Sequence, residues 1–272
     1  MGELMANPGR LLTRALLIAF VGFVILGPMS NILIWAFAEQ WFFPAKLPTE
    51  WGFKFWERVF RPRAGAMDAM WNSVFIALLT VVVSMVLAVP AGYALARRSI
   101  PFRAVAMLLF LMPQAIPSVT VHQSIGQIFY MICLNGTIPG VVLVHTLQGL
   151  VFAVWITSAS FASVDRDLEA AARDLGASPG YVFRSVTLPL AIPGLIASAI
   201  FVFLGSIDEF TGTFFVGIPD IQTLPILLYT ASMQGSYQIA SITAIFLLIP
   251  SILFMVIVER FLKADVAAKI GT

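Results

Sequence analysis

Charge is the scarcest property of this sequence. Only 11% of its 272 residues are Asp, Glu, Lys or Arg, against 60% hydrophobic, and the mean hydropathy is +0.94. A soluble domain carries roughly 25% charged residues. The deficit excludes a soluble domain and leaves a polytopic membrane protein surrounded by lipid. The net charge of +2 is spread between apolar runs and forms no basic patch, so no nucleic-acid partner is expected. A single cysteine, Cys133, excludes a disulfide framework within the chain. His122 and His145 are the two histidines, and neither has a cysteine or carboxylate at ligand spacing. No metal site and no catalytic residue are therefore expected, since an enzyme needs a cluster of titratable groups. No GxxxxGK[ST] loop occurs, so the chain has no cradle for nucleotide phosphates and no bound cofactor is expected.

What the sequence has is apolar runs. A helix needs about 20 such residues to cross a bilayer. Six candidates are present, at 15–38, 71–96, 104–121, 138–162, 188–207 and 239–258. The expected fold is all-α, a single transmembrane domain over residues 1–272. The third run carries Pro113 and Pro117, and an apolar tail follows it, from Ile125 to Leu134. Prolines free backbone carbonyls that neighbouring helices must satisfy, which suits a broken helix beside a pore. The stretch from Phe210 to Met233 is also apolar. Pro219, Asp220, Gln222 and Pro225 break it, so it reads as an outer loop with a short helix from about Leu224-Pro225. Arg10 and Arg14 precede the first run like a signal peptide, but its 24 uncharged residues exceed the usual core of about 7–15.

Orientation follows from Lys and Arg in short loops. With six spans, eleven of them fall on one side: Arg10 and Arg14, then Arg97, Arg98 and Arg103, then Arg166, Arg173 and Arg184, and finally Arg260, Lys263 and Lys269. The other side has five, all in one loop that also holds Glu50, Glu57 and Asp68. Both termini and the loop at 163–187 are expected in the cytoplasm, as in a bacterial-type inner membrane. Trp41, Trp51, Trp56 and Trp71 flank the outer loop and suit the bilayer interface.

The loop at 163–187 is a polar interval in an apolar chain. Ser163 suits an N-cap, and Asp165 and Asp167 suit the positive end of a helix. Val164, Leu168, Ala171, Ala172 and Leu175 recur at spacings of three and four, which marks an apolar helix face. Glu169 and Arg173 are four apart in the favourable order. Gly176 suits the left-handed residue that ends a helix, and Ser178-Pro179 a cap and first turn that start another. The expectation is helix, glycine turn, helix, parallel to the membrane. A lipid-lying helix is usually basic, whereas Ser163 to Gly176 carries four carboxylates and two arginines. On periodicity alone, protein docking and a packed structural loop both remain open.

The stretch "LEAAARDLGASPGYVFRSVTLP" resembles the EAA signature of the membrane subunits of binding-protein-dependent ATP-binding-cassette importers. In that signature the EAA triplet and three residues precede a glycine. Nine residues, Ile, one residue and Leu-Pro follow it. Here Gly176 is followed by nine residues, then Val186, Thr187, Leu188 and Pro189. One departure stands out: the triplet falls on Ala170-Ala171-Ala172, and the glutamate comes one place early, at Glu169. "LMPQAIPSVTV" at 111–121 resembles the third span of such permeases. The segments at 142–178 and 206–229 resemble the spermidine/putrescine-type branch. The resemblance implies the type I importer permease fold and a cytoplasmic coupling helix, with Glu169, Ala171, Ala172, Asp174, Gly176, Ala177, Leu188 and Pro189 as the ATPase-coupling residues. It also implies partners: ATPase subunits that use ATP and Mg, a second permease subunit (homologue or copy), and an outer solute-binding protein.

For the solute, ionisable residues at a span are functional candidates. Asp208 and Glu209 follow the fifth run and suit a polyamine or other organic cation, or else end a helix facing water. His145, Gln148 and Asn72 are further pathway candidates, although polar groups in spans commonly bond neighbouring helices. The expected function is an importer permease that makes and breaks no bonds. The rival is a secondary carrier or channel subunit working without an ATPase. Carriers often show internal repeats and mid-membrane charges, and the sequence shows neither.

Overall fold

The computed structural model describes residues 8–61 and 65–270. By its internal contacts the chain divides into two compact units. The first combines the chain before Gly65 with Leu228–Ile245, and the second combines Gly65–Leu227 with the chain from Phe246.

In the first unit, helix α1 (Pro8–Phe37) leads into a short antiparallel ribbon of β1 (Ala38–Gln40) and β2 (Glu50–Trp51), and then into α2 (Lys54–Val59). Ala38 pairs with Trp51, and Gln40 with Glu50. The ribbon departs from the all-α expectation. Aromatic rings hold it in place. Trp35 lies 4.4 Å from Trp41, and the Trp56 indole stacks on Phe37 and donates to the Ala36 carbonyl at 2.8 Å. Of the four tryptophans read as interface anchors, Trp51 and Trp71 are exposed, while Trp41 and Trp56 each donate to a nearby carbonyl.

The second unit is built on α3 (Ala66–Arg97), α6 (Ile138–Ala162) and α9 (Leu188–Ile207). Sequence explains why these three approach closely. Ser73, Ala77, Thr80, Ser84, Ala88, Gly92 and Ala96 are all buried on α3, three or four residues apart. In a membrane, small residues at that spacing let helix backbones meet, and packing replaces the hydrophobic drive that lipid removes. The facing residues have no room to spare. A Cβ on Gly92 would meet the Thr157 hydroxyl and the Ser158 amide, one on Gly149 would meet Ser84 and Val202, and one on Gly194 would meet Ser160. Thr157 also donates to the Ala88 carbonyl at 3.0 Å, tying α6 to α3. Larger residues fill the two ends: Ile76, Val141, Val144 and Val216 at one, Phe161, Val164, Ala191 and Leu195 at the other.

The third apolar run is not one straight span. It forms α4 (Arg103–Ala115) and α5 (Ser118–Met131), bent by 92°. Ile116 lies between them in extended backbone, as the residue before a proline prefers. The loop expected at Phe210–Met233 is also more ordered than a loop. It contains α10 (Thr211–Val216), with Gly212, Thr213 and Val216 buried, and α11 (Leu224–Met233). Helix α12 (Tyr237–Ile270) follows. Among the described residues, four helices are long and apolar enough to cross a membrane, and the bent pair makes a fifth candidate. Helix α12 is apolar over Tyr237–Leu253.

Gly92→Leu should force α3 from α6, at a cost of about 1–3 kcal/mol for overpacking. Gly22→Leu, where the added atom meets nothing within 4 Å, is the control. Thermal unfolding of the detergent-purified protein should show a lowered midpoint for the first and an unchanged one for the second.

Candidate functional site

Two places hold the residues singled out by sequence, and the 163–187 loop is the first. Helix α7 runs over Arg166–Asp174. Its N-cap is Asp165, which accepts from the Asp167 amide at 2.9 Å. Ser163, expected in that role, instead closes α6, and its hydroxyl bonds back to Ser160. Gly176 takes φ +84, and the Ala177 and Gly176 amides reach the Ala172 and Arg173 carbonyls at 3.1 and 2.8 Å. That bond pair is the Schellman ending, which needs a left-handed residue at this position. Ser178 and Pro179 then start α8 (Pro179–Val182).

The second helix of the loop does not lie apart from the span that follows. Helix α8, a π-helical turn at Phe183–Thr187, and α9 run on as one helix over Pro179–Ile207. Pro189 has no N–H to give back along the helix, and the turn just before it is π-helical. The Leu188 amide accordingly reaches back five residues, to the Phe183 carbonyl. A push on α7 therefore acts on a helix continuous with a membrane span.

Helix α7 is exposed around most of its circumference, charged residues included; of the apolar face expected from spacing, Val164 is buried and Ala172 half-buried, while the rest faces outward. Leu168 and Ala171 are exposed, and Leu175 is 90% exposed. Glu169 is only 4% exposed. A residue turns about 100° around a helix axis. The glutamate that comes one place early is therefore carried off the outward face, which Ala170 occupies instead. Glu169 Oε1 lies 3.0 Å from the Arg97 guanidinium and accepts from the Thr187 hydroxyl at 2.8 Å. Arg173 is 3.6 Å from the other oxygen, on the exposed side. Of the remaining loop residues, Asp174 and Gly176 are exposed, Ala172 and Ala177 half-buried, and Leu188 and Pro189 open α9.

The second place is a cavity of about 370 Å³ at the bend between α4 and α5. Gln114, Ser118 and His122 line it from the bent pair, and Leu147 and Gln148 from α6. Behind it sits a buried polar network. His145 bridges two elements, with Nδ1 2.8 Å from the Ser206 hydroxyl and Nε2 2.8 Å from that of Thr213. Glu209 caps α10 by accepting from the Gly212 amide at 2.6 Å, and its carboxylate lies 4.0 Å from His122 Nε2. Burial pushes the Glu209 carboxyl above its ordinary value, while the Gly212 amide, His122 and Gln148 pull it back.

The structure thus separates the Asp208-Glu209 pair: Asp208 is exposed and Glu209 is turned inward. It gathers Glu209, His145 and Gln148 with His122. Asn72 is not among them. Its amide donates to the Gln222 carbonyl at 2.9 Å, and neighbouring Ser73 accepts from the Leu224 amide, so both hold the turn before α11. Sequence reasoning passed over Gln114, Gln123 and Gln127. Glutamines in an apolar stretch, the last two four apart and both exposed on α5, were the available signal.

The family model described as "Binding-protein-dependent transport system inner membrane component" matches residues 88–267, well over half of the chain. The chain belongs to this family. It is an importer permease component and not itself an enzyme. The permease is 33% identical to the trehalose transport system permease protein SugB of Mycobacterium tuberculosis over 206 residues, 74% of this chain and 75% of that one. It is 29% identical to the putative 2-aminoethylphosphonate transport system permease protein PhnV of Salmonella typhimurium, over 90% of this chain and 92% of that one. In fold, the permease is similar to a bacterial ABC transporter that imports the acidic polysaccharide alginate (TM-score 0.71, 17% identity, 95% and 99% covered). That transporter is also solved with its alginate-bound periplasmic protein. The MetNI methionine transporter is similar as well (TM-score 0.58, 19% identity, 73% and 94% covered). The spermidine-type branch does not emerge from these relatives.

Nothing lies within 4 Å of a Cβ placed on Gly176 of the permease, so a side chain there costs only its backbone strain, roughly 1–2 kcal/mol. Gly176→Val should open the Schellman turn and speed tryptic cleavage at the exposed Arg173 several-fold. Timed digestion of membranes, read by peptide mass, checks this.

Proposed function

We propose that this permease forms half of a translocation pore and is driven by a partner ATPase that docks on the outward face of α7. The observation that carries this reading is the exposure of apolar side chains on that helix: Leu168, Ala171 and Leu175 are open while Glu169 is buried. Isolated exposed leucines are common on proteins. Here they share the face of a capped helix that a glycine turn and the Glu169–Thr187 bond tie to the helix running into α9, and contact with an ATPase gives that face a cover and a purpose. The chain lacks a P-loop, so ATP and Mg belong to the partner.

The remaining assembly follows the same logic. We read six spans, counting the bent α4–α5 pair and α12, with both termini and α7 in the cytoplasm. The distribution of Lys and Arg supports this orientation. Exposed Gln114, Gln123 and Gln127 on the bent pair suit a water-filled path, closed on its far side by a second permease subunit, either a copy or a homologue. A solute-binding protein would deliver at the outer side, as the alginate transporter's periplasmic protein does for that system.

For the solute, the cavity wall favours a neutral, hydroxyl-bearing molecule over a polyamine. Its polar groups are the amides of Gln114 and Gln148, the Ser118 hydroxyl and the His122 ring. The one carboxylate behind them, Glu209, is already engaged by the Gly212 amide. No carboxylate is among the residues lining the cavity, so a cation entering it would lose water with no opposite charge in contact. Trehalose, named for one relative, is such a neutral polyol.

Two measurements test this reading. Leu175→Asp should abolish co-purification of the ATPase while the permease stays folded; retained binding refutes the docking face. Gln148→Ala should lower solute uptake at least tenfold in vesicles, and Asp208→Asn should leave it unchanged. The reverse pattern would place the solute path at the exposed acid.

A further inference from the structure

The buried glutamate of α7 has a second set of consequences. Arg97 is the last residue of α3, and its side chain is 7% exposed against 6% for that of Glu169. Among the described residues one nitrogen of its guanidinium, Nη2, makes both contacts: 3.0 Å to Glu169 and 2.7 Å to the Val164 carbonyl at the α6–α7 elbow. The Arg97 Nε has no partner among the described residues. A second bond runs the other way, from the Arg166 guanidinium to the Ala96 carbonyl at 3.3 Å. Through Thr187, the same Glu169 oxygen is bonded to the π turn that leads into α9. Beneath lies an apolar floor, where the Tyr93 ring of α3 meets Phe161 and Phe183 edge-on at 5.4 and 5.0 Å.

A buried ion pair is poor evidence for stability, since well-packed apolar residues commonly do as well. Its usefulness lies in direction: two charges that cannot be solvated must move together or pay desolvation. We propose that the Arg97–Glu169 pair is the linkage that carries displacement of α7 to the end of α3, with Thr187 carrying it to α9. In this permease the signature position is Ala170, and the glutamate just before it, Glu169, serves the inside of its own subunit. Both charges also suit their helices, the arginine at a C-terminus and the glutamate in a first turn. Contact through a single nitrogen makes the joint a pivot, not a two-point clamp, so the helices can change angle without parting. Arg97 and Glu169 are positioning residues, because neither meets solute or nucleotide.

The proposal rests on the ATPase-docking reading above, and the test separates the two. The full importer, with its ATPase and binding protein, is reconstituted in vesicles. ATPase co-purification, solute uptake and the ratio of stimulated to basal ATP hydrolysis are measured. Glu169→Gln, which keeps the shape and the Thr187 bond, should retain the ATPase but lose at least tenfold in uptake and bring the hydrolysis ratio towards one. Arg97→Gln should match it. The double variant, R97Q with E169Q, should lose no more uptake than either single variant, because the two side chains act as one unit, and an unchanged elution profile from size-exclusion chromatography separates this from a loss of folding. If E169Q and R97Q transport normally while Leu175→Asp sheds the ATPase, the linkage is overturned and the docking face stands. Loss of the ATPase from a folded E169Q also overturns the linkage, because the glutamate then serves docking. If Leu175→Asp keeps the ATPase, the docking reading itself fails.

Discussion

The close approach of α3 to α6 is the constraint on which the rest of the second unit depends. Lipid supplies no hydrophobic drive between helices, so contact must come from surfaces that fit. The small residues of α3 provide that fit, and Gly92 lies where Thr157 and Ser158 leave no space for a side chain. With the axes held so near, the Arg97 end of α3 falls beside the α6–α7 elbow. A larger separation would leave the guanidinium short of Glu169 and would strand two charges.

Rigidity and bending are distributed differently along the chain. The helix from Pro179 to Ile207 stays continuous despite Pro189, with a π turn just before it. At Pro117 the chain does the opposite. Ile116 goes extended, and α5 leaves α4 at 92°. The first arrangement keeps the helix continuous, and the second opens space. The cavity lies at the second, walled by side chains that offer hydrogen bonds, Gln114, Ser118, His122 and Gln148.

The buried polar groups divide by task. His145 bonds Ser206 and Thr213, and Glu209 caps α10 through the Gly212 amide, which fixes α10 against α6 and α9. They shape the back wall of the cavity and are largely used up in doing so. Gln114 and Gln148 remain on its surface. The carboxylates that first drew attention as a cation attractor are thus parted, one spent on a helix cap and the other facing outward.

Much of this was legible in the sequence, because its signals are local. Apolar length marks spans, Ser-Pro marks a first turn, and Gly176 marks a left-handed ending whatever surrounds it. The helix–glycine–helix frame and the bounds of α6 and α9 could be read for that reason, as could the family signature. What the sequence left open depends on angles and on partners far along the chain. One residue of displacement turns a glutamate by about 100°, but only the packed neighbours decide that this turn leads inward to Arg97, 72 positions earlier. In the same way, Leu168 and Leu175 form an apolar stripe by spacing alone, and the tertiary structure decided that the stripe faces out. The bend at Pro117 is a local permission. Its depth, and the cavity it opens against Gln148, came only from how α6 and α10 pack behind it.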